Sequence, residues 1–130
     1  MIFLGIGDEA GSQLDVQIGA TRDLGWEHIE MRGAELAGHP KANFHDLSDD
    51  AFDLAVRKLE QSQVQVYCFG STIMNWSKTL ETPWETTISE LKRAVPRMQR
   101  LGTKYVRIMS FKPGDDEYKI PNDVFRRVRE

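Results

Sequence analysis

The chain has 130 residues, 40% hydrophobic and 28% charged, and its 17 basic and 20 acidic side chains leave a net charge of −3. That composition describes one globular domain without a basic surface for nucleic acid, and no apolar run approaches the roughly 18 residues that span a bilayer. The first residues lack the positive stretch of a signal peptide and the single Cys68 allows no internal disulfide, so the expected location is a reducing cytoplasm.

Taken in chain order, Ile2–Ile6 is a short apolar run closed by Gly7 and Asp8, and it reads as a buried strand. Ser12 followed by Asp15 is a capping-box pattern, and Leu14, Ile18, Thr21 and Leu24 recur at helical spacing until Gly25. Residues 26–32 alternate and form a second strand. After a loop, Ser48 caps a helix whose first turn holds Asp49 and Asp50, with Leu47 and Phe52 placed as a hydrophobic staple. Residues 64–69 are the third strand. Thr82–Pro83–Trp84–Glu85 starts a third helix with the stripe Ile88, Leu91, Val95, Met98 and Leu101, and Pro96 inside it predicts a kink near Lys92. Residues 105–109 are the fourth strand. Asn122 or Asp123 then caps a helix carrying Val124, Phe125 and Val128, and the sequence stops about two turns into it.

The order βαβαβαβ argues for a parallel sheet with right-handed crossovers. A doubly wound sheet would bury its strands on both faces, whereas a barrel turns one face inward, where polar groups near the carboxyl ends line a site. Here His28, Glu30 and Arg32, then Tyr105 and Arg107, share one strand face, with Ile29, Met31, Val106 and Ile108 on the other. This alternation favours the barrel. An internal echo adds to it: Leu24–Arg32 aligns with Leu101–Met109 and sets Glu30 and Arg107 at equivalent positions, through either shared helix-to-strand geometry or duplication.

The stretches ANFHDLSDDAFDLAVRKLEQSQVQVYCFGST, WEHIEMRG and ISELKRAVPRMQRLGTKYVRIMSF resemble the sugar phosphate isomerase/epimerase family, whose fold is the xylose isomerase-like (β/α)8 TIM barrel. The resemblance implies that residues 1–130 are the N-terminal half of such a barrel, roughly its first four βα units, which explains the unfinished last helix. It also implies a divalent metal (Mn, Mg, Zn or Co) held by the last four strands together with the acid–base groups. No metal ligand and no catalytic residue is therefore expected in this chain. Its part would be contact with a sugar or sugar phosphate.

Six residues are candidates for that contact: Glu30, Arg32, Cys68, Ser71, Trp76 and Arg107. Glu30 and Arg107 lie at inward strand ends, where charge is costly unless paired or used, and the alternative is a structural pair with each other or with Arg32. Cys68 ends the third strand, either lining a pocket or acting as a small hydrophobe, without a neighbouring base that would make it a nucleophile. Ser71 follows that strand in the βα loop, where capping serines are also common. Trp76 sits in a long loop, positioned to stack on a sugar ring or simply to anchor the loop. His39 and His45 flank the second loop, but no HxH or HExxH spacing makes a metal site of them. Two functions follow. One is a metal-dependent isomerase or epimerase moving a proton next to a carbonyl, with this chain one part of it. The other is a catalytically inert half-barrel that self-associates or binds a partner, the missing C-terminal half included.

Overall fold

The computed structural model describes residues 1–79 and 81–110, together with Arg126 and Arg129. A 3-10 turn at Gly7–Glu9 precedes helix α1 (Leu14–Asp23), strand β1 (His28–Met31), strands β2 (Gly33–Leu36) and β3 (His39–Asn43), helix α2 (Asp49–Ser62), strand β4 (Gln65–Gly70), helix α3 (Trp84–Leu101) and strand β5 (Tyr105–Arg107). β1, β4 and β5 make a three-stranded parallel sheet in that order, and β2 and β3 make a separate antiparallel hairpin. The expected helix start at Ile120–Asp123 lies outside the described residues.

This corrects the barrel expectation. The chain is a small α/β domain, not four units of a (β/α)8 barrel. The expected first strand contributes one parallel bridge, Ile6 to Glu30, and a bond from Glu30 N–H to the Gly5 carbonyl, while Ile2 and Phe3 are exposed. The second βα connection is broken by the hairpin. Polar and apolar positions alternate because helices cover only one face of the sheet, and barrel closure is not needed to produce that pattern.

The covered face is the core. Ile29 and Met31 of β1, Val66 and Phe69 of β4, and Ala34 and Leu36 of β2 pack with Leu14, Ile18, Phe52, Val56, Leu59 and Ala94 from the three helices. Phe44 stands edge-on to both Phe52 and Phe69, with ring centroids 5.6 and 5.8 Å away. Both staple residues, Leu47 and Phe52, are buried in this cluster. The Ser48 hydroxyl accepts from Ala51 N–H at 3.3 Å and caps α2 as its position predicts.

Other local expectations fail for identifiable reasons. Ser12 does not cap α1, because its hydroxyl donates to Glu35 Oε2 at 2.9 Å. Gln17, fully buried on α1, instead ties the preceding loop to the hairpin through Gly11 O (3.0 Å) and Gly33 O (2.9 Å). Pro83 rather than Thr82 is the N-cap residue of α3, and the Thr82 hydroxyl accepts from Thr79 N–H. The helix runs on through Pro96, and its fully buried positions are Thr87, Glu90 and Ala94, while Val95 points to solvent. Leu91, Met98 and Leu101 of the expected stripe pack against the core, while the helix's most buried line runs beside them with two polar side chains inside it.

Candidate functional site

The uncovered face of the parallel sheet carries two rows. Near the amino ends, His28 meets Tyr67 edge-on (5.6 Å) and Tyr67 stacks on Tyr105 (5.2 Å). Near the carboxyl ends lie Glu30, Cys68 and Arg107. Glu30 pairs in register with Cys68, and Arg107 with Gly70, so β4 separates the two charged residues. Their side chains nevertheless meet: Arg107 Nε donates to Glu30 Oε1 at 2.5 Å. Strands two apart are roughly 9–10 Å distant, and the gap is bridged over the one position of β4 without a side chain. A Cβ on Gly70 would stand 3.0 Å from Glu30 Oε1 and 3.2 Å from the Arg32 backbone. Close approach favours glycine here, because a side chain would push its neighbours by a few tenths of an ångström.

Arg107 is only partly used by this bond. Its Nη2 is buried and has no hydrogen-bond partner among the described residues. A guanidinium donor in that state is prepared for an acceptor oxygen. Arg32, next to the pair, is saturated differently: its Nε donates to both oxygens of Asp8 (2.9 and 3.0 Å) and its Nη2 to Glu9 (2.9 Å). The hydrogen bond to Asp8 is the main reason its pKa is raised. Burial pushes the Cys68 thiol up and the Glu30 charge pushes it further, with Arg107 opposing, so Cys68 stays protonated at neutral pH and is no nucleophile.

Ser71 is fully buried, donates to the Arg107 carbonyl at 2.8 Å and accepts from Ile73 N–H at 3.2 Å. It locks β4 to β5, its donor used and its side chain buried away from any ligand. Trp76 is 63% exposed, so the buried anchors of its loop are Ile73 and Met74 instead. Asn43 at the end of β3 donates to the Gly70 carbonyl at 3.2 Å, which brings the hairpin to the same corner. The structure thus gathers Glu30, Arg32, Cys68 and Arg107 at one end of the sheet and leaves Ser71 and Trp76 to the loop beside it. Parallel α/β sheets, open or closed, bind ligands at the carboxyl ends of their strands, which favours this corner over the groove of about 340 Å³ beneath His28, Tyr67 and Tyr105.

The divalent metal that the family resemblance implies does not fit this corner. Glu30 is engaged by Arg107, and Asp8 and Glu9 by Arg32. Among the described residues, no three His, Cys, Asp or Glu side chains converge as a metal site requires.

A second polar cluster escaped the sequence reading. His45 is fully buried, with Nε2 2.9 Å from Thr72 Oγ1, and burial lowers its pKa. Lys78 and Glu90, both largely buried, pair at 2.8 Å. The signal was Glu90 on the inner side of α3, between Thr87 and Ala94. Among the described residues, no helix is long and apolar enough to cross a membrane. Compared with family models, with curated proteins and with solved structures, the chain matches none.

Proposed function

We propose that this chain binds a sugar or sugar phosphate at the carboxyl ends of its parallel strands and supplies the sugar-contacting surface of an isomerase or epimerase. The observation that carries the reading is Arg107, oriented by Glu30 and holding a buried donor without an acceptor among the described residues. A hydroxyl, carbonyl or phosphoryl oxygen satisfies such a donor, and the partly open Glu30–Cys68 surface gives a hydroxylated ligand further contacts. The sequence resemblance supports the choice of a sugar over other oxygen-rich ligands. The metal and the acid–base groups of that chemistry lie outside the described residues on this reading.

Calorimetric titration of the purified chain with a panel of aldoses, ketoses and their phosphates tests it. Saturable binding is expected, and Arg107→Ala is expected to weaken it at least tenfold, the loss of a charge-assisted hydrogen bond. An affinity untouched by that substitution, or no saturable ligand in the panel, overturns the reading.

A second reading has an observation of its own. Tyr105, Val106, Ile108 and Met109 are all exposed along and just after β5. Apolar side chains grouped at a sheet edge favour association with another chain. Sedimentation separates the two: concentration-dependent dimers that bind none of the sugars favour assembly as the function.

A further inference from the structure

The loop after β4 is fastened at its start by groups that have no part in the proposed sugar site. Thr72 is gripped from two sides. Its hydroxyl lies 2.9 Å from His45 Nε2 and its N–H donates to the same nitrogen at 3.4 Å, while its carbonyl accepts from Lys78 Nζ at 2.6 Å. Lys78 also pairs with Glu90 Oε1 of α3 at 2.8 Å. The segment Ser71–Thr79 is therefore folded back on itself and tied to both the end of the hairpin and α3.

This arrangement works with one protonation state. For Nε2 to accept the Thr72 N–H, the imidazole must be neutral with its proton on Nδ1. Nδ1 lies 3.3 Å from Asp46 Oδ1 without hydrogen-bond geometry and is itself buried. The charged groups facing the ring are Asp46 beside it, Lys78 from the loop, and Glu90 and Arg93 from α3. Both carboxylates are already taken, Asp46 by Arg93 at 2.7 Å and Glu90 by Lys78. A second proton on the ring would set Nε2–H against the Thr72 N–H, close to an ammonium and away from water. Asp46 and Glu90 favour the charged ring, but burial outweighs them, with Arg93 and Lys78 acting in the same direction as burial.

We propose that His45 and Lys78 form a proton-operated clasp that holds Ser71–Thr79 against α3 at neutral pH and releases it in mild acid. The sign follows from burial. Because the closed form resists protonation, the released form takes up the proton first as pH falls below the ordinary histidine value of 6.5. The closed loop is fully favoured above that pH and loses ground below it. Release is local, since α2 and its core contacts contain none of these groups.

Hydrogen exchange of the whole chain at pH 7.5 and pH 5, corrected for intrinsic rates, reads the clasp directly. The amides of Thr72–Asn75 are expected to exchange at least tenfold faster at pH 5, while those of Val56–Leu59 keep their protection. In the His45→Gln variant, whose amide oxygen accepts from Thr72 at either pH, the difference is expected to vanish. An NMR titration of the His45 ring in the unmodified chain gives a second readout, and its midpoint is expected to lie below 6.5. Equal loop protection at both pH values, parallel opening of α2, or a ring that titrates at its ordinary value with the loop closed overturns the proposal.

Discussion

Two sets of arginine–carboxylate pairs occupy opposite sides of the core, and they behave differently. On α3, Arg93, Arg97 and Arg100 recur at helical spacing and meet Asp46, Asp49 and Asp53, which recur at helical spacing along α2 and the turn before it. On the open sheet face, Arg107 meets Glu30 alone. Arg97 shows what a structural arginine looks like. It donates to the carbonyls of Phe44 (3.0 Å) and Leu47 (2.6 Å) and to Asp49 (3.0 Å), with its guanidinium 4.8 Å above the Phe52 ring. Arg97 and Arg107 are both held by carboxylates, but only Arg107 keeps a buried donor in reserve. The reserve donor, rather than burial or the presence of a partner, separates an arginine prepared for a ligand from one that holds elements together.

The largest expected effect tests the structural half of that contrast. Arg97→Ala removes two charge-assisted bonds to backbone carbonyls and the contact with Phe52, leaving the Phe44 carbonyl in need of a donor. A loss of roughly 2–4 kcal/mol in unfolding free energy is expected from urea denaturation. Arg97→Lys should recover little of it, because an ammonium cannot span both carbonyls. A loss below about 0.5 kcal/mol would erase the distinction between the two arginines.

The same denaturation experiment on Arg107→Ala sharpens the other half. With Arg107 32% and Glu30 14% exposed, breaking the pair is expected to cost about 1–2 kcal/mol, less than Arg97→Ala, in the variant expected to lose sugar affinity. A loss as large as that of Arg97→Ala would make Arg107 a structural residue too.

The smallest effect is read at Cys68. With burial and the Glu30 charge both raising its pKa, alkylation by iodoacetamide at pH 8 should be slower than for free cysteine. Glu30→Gln removes the second cause, and the rate is expected to rise by a few-fold as the thiolate fraction grows. An unchanged rate would mean that Glu30 does not influence the sulfur.

The parts of the fold legible in the sequence were those fixed by near neighbours. Ser48 with its acidic first turn gave the start of α2, and the alternation around Glu30 and Arg107 set both residues on the face away from the helices. What stayed hidden depended on distant partners. Glu35 diverts Ser12 from its cap across 23 positions. The hairpin Gly33–Asn43 contains Pro40 and Lys41 and no β-branched residue, so nothing local announces a strand. Glu90 takes an inner position on α3, where an apolar residue was expected nearby, because Lys78 reaches it from a loop without periodicity. The buried contact of His45 with Thr72 stays hidden for the same reason. The barrel expectation failed at the topological level, since an uncovered sheet face and a barrel interior impose one and the same pattern on the strands.

Gly70 bears on how this chain can vary. Any side chain there would press on Glu30 and on the backbone of Arg32 together, so a change at position 70 alters the end of β1 as well as the charge pair. The Glu30 carboxylate could swing aside only by leaving Arg107, whereas the Arg32 backbone would have to shift. Positions 30, 70 and 107 are therefore linked across three strands, and a substitution at 70 is expected to disturb the contact between the other two.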